Sequence, residues 1–200
     1  MSQPLQLSLL ASDGARPAKN LRSLEAPEGF CYQTAVLTSD EERDLVSRLA
    51  QLPLTPFDFH GHLANRRVVS YGWSYSYEQG SLHPAEDMPA FLLSVRERAA
   101  AFAGIQPGKL VQSLINEYRP GTAIGWHRDK PVFGDVIGIS LNASCLLRFR
   151  RKAGGRWQRY SLTAEPRSAY VLRGPARTLW EHSIPAVAAL RYSITFRTLR

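Results

Sequence analysis

The chain has 200 residues, 44% apolar and 21% charged, with 14 glycines and 13 prolines, a composition that suits a globular domain and excludes a disordered chain. Two cysteines, Cys31 and Cys145, are too few for a disulfide scaffold or a cysteine-rich zinc site, and no apolar run approaches the roughly 18 residues of a membrane span. The net charge of +8 is uneven: from Arg148 to Arg200, eleven arginines and Lys152 stand against only Glu165 and Glu181, which points to a polyanionic partner.

Residues 1–30 mix Pro, Gly, Ser and Ala with little periodicity, and a loose N-terminal arm is expected there, ahead of one domain over 31–200. The N-terminal apolar stretch is short, interrupted and lacks a basic lead, so no secretory signal is expected. Free thiols suit a reducing compartment, and the expectation is a cytoplasmic monomer with no membrane contact.

Thr38 and Ser39, followed by Glu41 and Glu42, make a capping-box start and predict a helix over 39–51 with Leu45, Leu49 and Leu52 as its apolar stripe. A second helix is predicted from Pro89, placed in its first turn, to a stop at about Gly104. Phe91, Leu92, Val95, Ala99 and Phe102 form its buried face. Beyond Gly104 the rhythm alternates, and short strands are predicted at 111–118, 137–141, 145–150, 157–162, 168–173, 177–182 and 191–197. Two helices followed by many short strands predict an α+β fold, a sandwich or jelly roll with the helices packed outside.

Three patterns carry chemistry. In the last strand, period two puts Arg191, Ser193, Thr195 and Arg197 on one face, opposite Tyr192, Ile194 and Phe196. Either the apolar set packs under the helices and both guanidiniums point inward to an anionic ligand, or the apolar set faces inward and both arginines face water. In Gly125-Trp126-His127-Arg128-Asp129, an extended backbone projects His127 and Asp129 to the same side, as two cis metal ligands require. His182 is the best candidate for a third. Two histidines and one carboxylate form a facial triad for Fe(II) with positions left open. Finally, Asn116 and Tyr118 share one face of a strand leading into the His127 loop, and can either orient a bound carboxylate or belong to an ordinary strand. His60, His62 and His83 read as surface residues in loops.

Taken together, Asn116-x-Tyr118-x-x-Gly121, His127-x-Asp129, His182 and Arg191–Arg197 resemble the motif series of the AlkB family of Fe(II)/2-oxoglutarate dioxygenases, over about residues 60–200. The resemblance implies a double-stranded β-helix. It implies iron on His127, Asp129 and His182, and Arg191 on the distal carboxylate of 2-oxoglutarate, with Asn116, Tyr118, Ser193 and Arg197 completing that pocket. It further implies a nucleotide-recognition lid around 57–80, in which Arg66 and Arg67 meet phosphate and Tyr71, Trp73 or Tyr75 stacks on an extruded base of alkylated DNA or RNA. The activity implied is oxidative N-demethylation driven by O2 and 2-oxoglutarate, with release of formaldehyde. The alternatives are an oxygenase that hydroxylates an RNA base, a protein or a small molecule, and a binding module without catalysis. Two departures bear on the substrate: Ser193 stands where the family often has Asn, and Pro131 stands where some members carry a substrate-contacting acid, for which Asp135 is the possible substitute.

Overall fold

The structure is a computed structural model that describes residues 25–59 and 62–200; most of the expected N-terminal arm, and His60, lie outside the described residues. The chain enters through β1 (Phe30–Gln33) and helix α1 (Ser39–Leu49). Thr38 caps α1: its hydroxyl accepts the Glu41 amide at 3.2 Å, while the Thr38 amide donates to Glu41 Oε2 at 2.7 Å. The segment expected to form a lid follows, made of β2 (Thr55–Phe59), β3 (His62–Tyr71) and the hairpin β4 (Trp73–Ser76) and β5 (Ser81–Pro84). Helix α2 (Ala90–Ala103) ends at Gly104, whose φ of +65° closes the helix in the left-handed region. Pro89 is the residue before this helix, not part of its first turn. His62 and His83 lie on β3 and β5, not in loops.

The remaining strands are β6 (Gln112–Tyr118), β7 (Ile124–His127), β8 (Phe133–Leu141), β9 (Cys145–Ala153), β10 (Arg156–Ala164), β11 (Ser168–Leu172), β12 (Glu181–Ile184) and β13 (Arg191–Leu199). The strand expected over 177–182 is not continuous. A short helix, α3 (Gly174–Thr178), occupies 174–178, and β12 begins only after Trp180. Gly174, with its positive φ, breaks the extended backbone, and Pro175 in the first turn suits the helical turn that follows.

Among the described residues, seven strands form a major sheet in the order β1-β11-β8-β13-β6-β3-β2, and four form a minor sheet in the order β10-β9-β12-β7. Neighbouring strands in both sheets run antiparallel. The two sheets enclose one core, with Leu147, Phe149, Tyr118, Tyr170 and Trp180 between them. A second core lies on the other side of the major sheet, where Ile115, Ile139, Tyr192, Ile194 and Phe196 pack against Leu45, Leu49, Leu92, Val95 and Ala99 of α1 and α2. This is the jelly roll with helices outside that the alternating strands predicted. Both faces of the major sheet are buried, so β11 reads Ser-Ala-Tyr-Val-Leu with no exposed residue. Among the described residues, no helix is long and apolar enough to cross a membrane.

Candidate active site

The site lies where the minor sheet meets the inner face of β13 and β6. His127 ends β7, and His182 is its direct cross-strand partner on β12. Their ring centroids are 4.2 Å apart. Asp129, two residues past His127, brings Oδ2 to 3.7 Å from His182 Nε2. His127 Nδ1 lies 2.9 Å from the Gly125 carbonyl oxygen. A carbonyl only accepts, so the proton is on Nδ1 and Nε2 keeps its lone pair. Burial lowers the basicity of both imidazoles, and His182, which also faces His127, is pushed down to about 3. Burial works in the opposite sense on Asp129, but Arg197, His182, His127 and Arg177 outweigh it and hold this carboxyl well below the usual carboxylate range. The arrangement is therefore two neutral imidazoles beside one carboxylate anion.

The last strand resolves the choice left open by its alternation. Its apolar side packs beneath the helices, and Arg191, Ser193 and Arg197 turn inward. Their partners across the ladder on β6 are Tyr118, Asn116 and Gln112. Arg197 donates to Asp129 Oδ1 from Nε at 3.1 Å and from Nη2 at 2.8 Å, and to Gln112 Oε1 from Nη1 at 2.9 Å. Arg191 is 0% exposed. Its Nε donates to Ser140 Oγ at 3.1 Å, and its guanidinium lies 5.0 Å from the centre of the Tyr118 ring. Both terminal nitrogens, Nη1 and Nη2, are buried and have no hydrogen-bond partner among the described residues. A buried cation with two idle donors is costly. The fork matches the two oxygens of a carboxylate. Asn116 Nδ2 donates to Ser193 Oγ at 3.4 Å, and Arg66 Nη1 reaches Asn116 Oδ1 at 3.5 Å.

Above this floor a cleft of about 760 Å³ opens between the lid and the site. Phe57, Arg66, Tyr75 and Tyr77 line it from the lid, and Gln112, His127, Asp129, Lys130 and Arg197 from below. Arg66 lies over the Phe57 ring at 3.8 Å, while the Lys130 ammonium lies 4.5 Å from Tyr77 and 5.0 Å from Tyr75.

Three of the five lid residues singled out in the sequence are placed differently. Arg67 faces away from the cleft, because consecutive residues of β3 alternate sides; it donates to Glu117 Oε1 at 3.1 Å and to the Leu54 carbonyl at 2.7 Å. Tyr71 is buried in the core beneath the helices, which prevents it from stacking on a base. Trp73 stands on β4 but is not among the described residues that line the cleft. Asp135 does not replace the acid missing at Pro131, since it pairs with Arg173 at 3.1 Å. Sequence reasoning does not find Phe57, Tyr77, Lys130 or Gln112. Tyr77 continues the every-second-residue aromatic run of Trp73 and Tyr75, and Gln112 faces Arg197 across the ladder, so both carry a periodic signal; Phe57 and Lys130 carry none.

Two imidazole nitrogens and one carboxylate are the donor set that suits Fe(II) with open positions. Among the described residues no three His, Cys, Asp or Glu side chains already close around one point. Asp129 gives Oδ1 to Arg197 and only Oδ2 faces His182, so the donors fit the ion in kind and would draw together on binding it. The orphaned fork of Arg191 likewise fits a carboxylate cosubstrate.

Comparison with known proteins agrees with this chemistry. The family described as the 2OG-Fe(II) oxygenase superfamily matches residues 29–197. The "Alkylated DNA repair protein ALKBH8 homolog" of Arabidopsis thaliana is 31% identical over 147 residues, 62% of this chain and 42% of that protein. The mouse (Mus musculus) "tRNA (carboxymethyluridine(34)-5-O)-methyltransferase ALKBH8" is 28% identical over 173 residues, 83% of this chain and 26% of that protein. The chain thus spans less than half the length of these curated relatives. The solved structure of OsALKBH1 superposes with a TM-score of 0.68 at 14% identity, covering 87% of this chain and 98% of that one, and so shares the fold. The chain belongs to the 2OG-Fe(II) oxygenase superfamily, whose members use Fe(II), 2-oxoglutarate and O2.

Proposed function

We propose that this chain oxidatively removes N-methyl groups from nucleobases of alkylated DNA or RNA, with release of formaldehyde. The observation that carries the substrate class is the cleft. At about 760 Å³ it falls in the range of roughly 300–1,000 Å³ typical of small-molecule sites, and it leads from three aromatic rings to His127 and Asp129. That suits a single base taken out of its stack and does not suit a duplex.

In this reading His127, Asp129 and His182 hold Fe(II). Bound there, the metal supplies the oxidising chemistry, O2 activation coupled to decarboxylation of 2-oxoglutarate. The Gly125 carbonyl fixes the His127 tautomer, so that Nε2 faces the metal position. Arg197 keeps Asp129 ionised and in place. Nη1 and Nη2 of Arg191 take the distal carboxylate of 2-oxoglutarate, and Asn116, Tyr118 and Ser193 complete that pocket on the same faces of β6 and β13. Phe57, Tyr75 and Tyr77 offer ring faces to the base, and Arg66 faces the same space. No side chain is required as a general base.

The test is incubation with N-methylated DNA and RNA oligonucleotides, iron, 2-oxoglutarate and O2, read by formaldehyde release and mass spectrometry. Loss of the methyl group with formaldehyde is expected; its absence on every substrate overturns the reading. A second reading, hydroxylation of an RNA base, is favoured by the mouse relative, whose name places its action on tRNA. It gives a gain of one oxygen without formaldehyde.

A further inference from the structure

Two groups stand out within the C-terminal arginine surplus. Arg177, Arg191 and Arg197 are buried. A second group stands on the outer face of the minor sheet, opposite the face that carries His182. Arg148, Arg150 and Lys152 alternate outward along β9, while Leu147 and Phe149 on the same strand face the core. Trp157 and Arg159 on β10 lie directly across from Lys152 and Arg150. The Arg150 guanidinium is stacked between two indoles, 4.4 Å from Trp126 and 4.7 Å from Trp157, and Arg148 lies 5.0 Å from Trp126.

Three features separate this face from an ordinary solvated one. Trp157 is 44% exposed while its ring is in contact with the Arg150 guanidinium, so part of a large aromatic surface stays open to solvent. Arg150 and Arg159 are direct cross-strand partners, a like-charge pair that is unfavourable in a sheet and in which Arg159 has no acid of its own among the described residues. Among the described residues, Glu181 is the one acid on the face and takes Arg150 Nε at 2.6 Å, and no acid meets Lys152 or Arg159. Exposed aromatic faces interleaved with unneutralised cations on an open sheet are the elements of a single-stranded nucleic-acid platform, with rings for bases and cations for phosphates.

We infer that this outer face binds the single-stranded nucleic acid flanking the target nucleotide, an inference that rests on the nucleobase reading above. The face begins at Trp126, adjacent to His127, and crosses to β10 over about 14 Å at roughly 4.8 Å per strand. A strand whose target base occupies the cleft therefore reaches it by passing over β7. Arg128, which borders the cleft, stands at the crossing.

The experiment compares an N-methylated trinucleotide with an N-methylated single strand of about ten nucleotides, long enough for a site of the size such platforms occupy, each as DNA and as RNA. The full chain should bind the longer strand more tightly. Trp157→Ala should weaken that binding roughly tenfold with no change in its salt dependence. Lys152→Ala with Arg159→Ala should flatten the log–log salt slope by about 0.7 for each phosphate left without its cation. Formaldehyde release from the trinucleotide should match wild type in all variants. These side chains are at the surface, so the variants fold. Wild-type affinity and salt slope in the variants would overturn the inference, and formaldehyde from the trinucleotide would then leave the demethylase reading standing. Displacement of the longer strand by polyglutamate as readily as by unmethylated oligonucleotide would overturn it too, and would assign the face to acidic polypeptides. A wild-type chain that neither binds nor demethylates either length would overturn both.

Discussion

Arg191 is the residue whose replacement says most about the site. It is fully buried, and among the described residues its side chain makes one hydrogen bond, to Ser140, and leaves both terminal nitrogens unpaired. Each hydrogen bond to a charged partner contributes about 1.5–3 kcal/mol. Lysine keeps the charge but offers a point donor in place of the fork. Arg191→Lys, by removing one of the two hydrogen bonds, should therefore weaken 2-oxoglutarate binding by about 1.5–3 kcal/mol, or roughly 10- to 150-fold. Arg191→Met gives the sharper comparison. Replacing an uncompensated buried charge with an apolar side chain of similar length is often neutral or stabilising by about 1–4 kcal/mol, less about 1 kcal/mol for the donor removed from Ser140. Urea unfolding should find the ligand-free Met variant at least as stable as wild type. At a hundredfold excess over its Kd, 2-oxoglutarate should stabilise wild type by about 2.7 kcal/mol and the Met variant not at all. A Met variant destabilised by about 3 kcal/mol that still responds to 2-oxoglutarate would show that Arg191 supports the core, and would refute its role as the carboxylate clamp.

Asp129→Ala should cost stability as well as turnover, because it strands Arg197, which is only 8% exposed; breaking such a pair costs about 3–5 kcal/mol. Asp129→Asn keeps an acceptor for Arg197 and should lose iron-dependent 2-oxoglutarate decarboxylation with a smaller drop in the urea midpoint. In chelator-treated protein, burial depresses His182 from 6.5 to about 3, so the unfolded chain takes up a proton that the folded chain refuses. Stability should be level above about pH 6.5 and fall as the pH drops towards 3; an acid limb that His182→Gln leaves unchanged would contradict this. Gly138→Ala would drive a methyl into the ring of Tyr170 and should destabilise by about 1–3 kcal/mol, visible as a lower denaturant midpoint; a neutral result would mean that the Tyr170 ring has room to move.

The parts legible in the sequence are those set by local geometry. The Thr38 capping box, the Gly104 stop and the alternation of β13 depend on a few adjacent residues, and the structure keeps all three. The spacing of His127 and Asp129 is legible for the same reason. The direction in which Arg191 and Arg197 point is not, because the major sheet is buried on both faces and alternation alone cannot say which side holds the ligand. The two helices, far away in sequence, decide it by covering Tyr192, Ile194 and Phe196. The lid is misplaced wherever its residues are treated as one segment and not as a strand. Strict alternation along β3 sends Arg66 to the cleft and Arg67 to Glu117. Tyr71 lies at the strand's far end, where the core beneath α1 and α2 reaches it. Lys130 owes its place to contacts with Tyr75 and Tyr77, across a long stretch of chain that no window of sequence spans.

The major sheet is also a partition between two kinds of selection. On β13 and β8, Ile194 and Ile139 serve the core under the helices, while their neighbours Ser193 and Ser140 serve the pocket. Substitutions that repack α1 and α2 act on stability through one face and reach Arg191 only through the backbone between them. Thermal hardening of this chain can therefore be sought among residues such as Leu49, Val95 and Phe102 without recutting the pocket. The converse also holds among the described residues: a lid rebuilt for another substrate draws on few of the side chains that hold the helices down, and the two territories meet at Val69 and Tyr71.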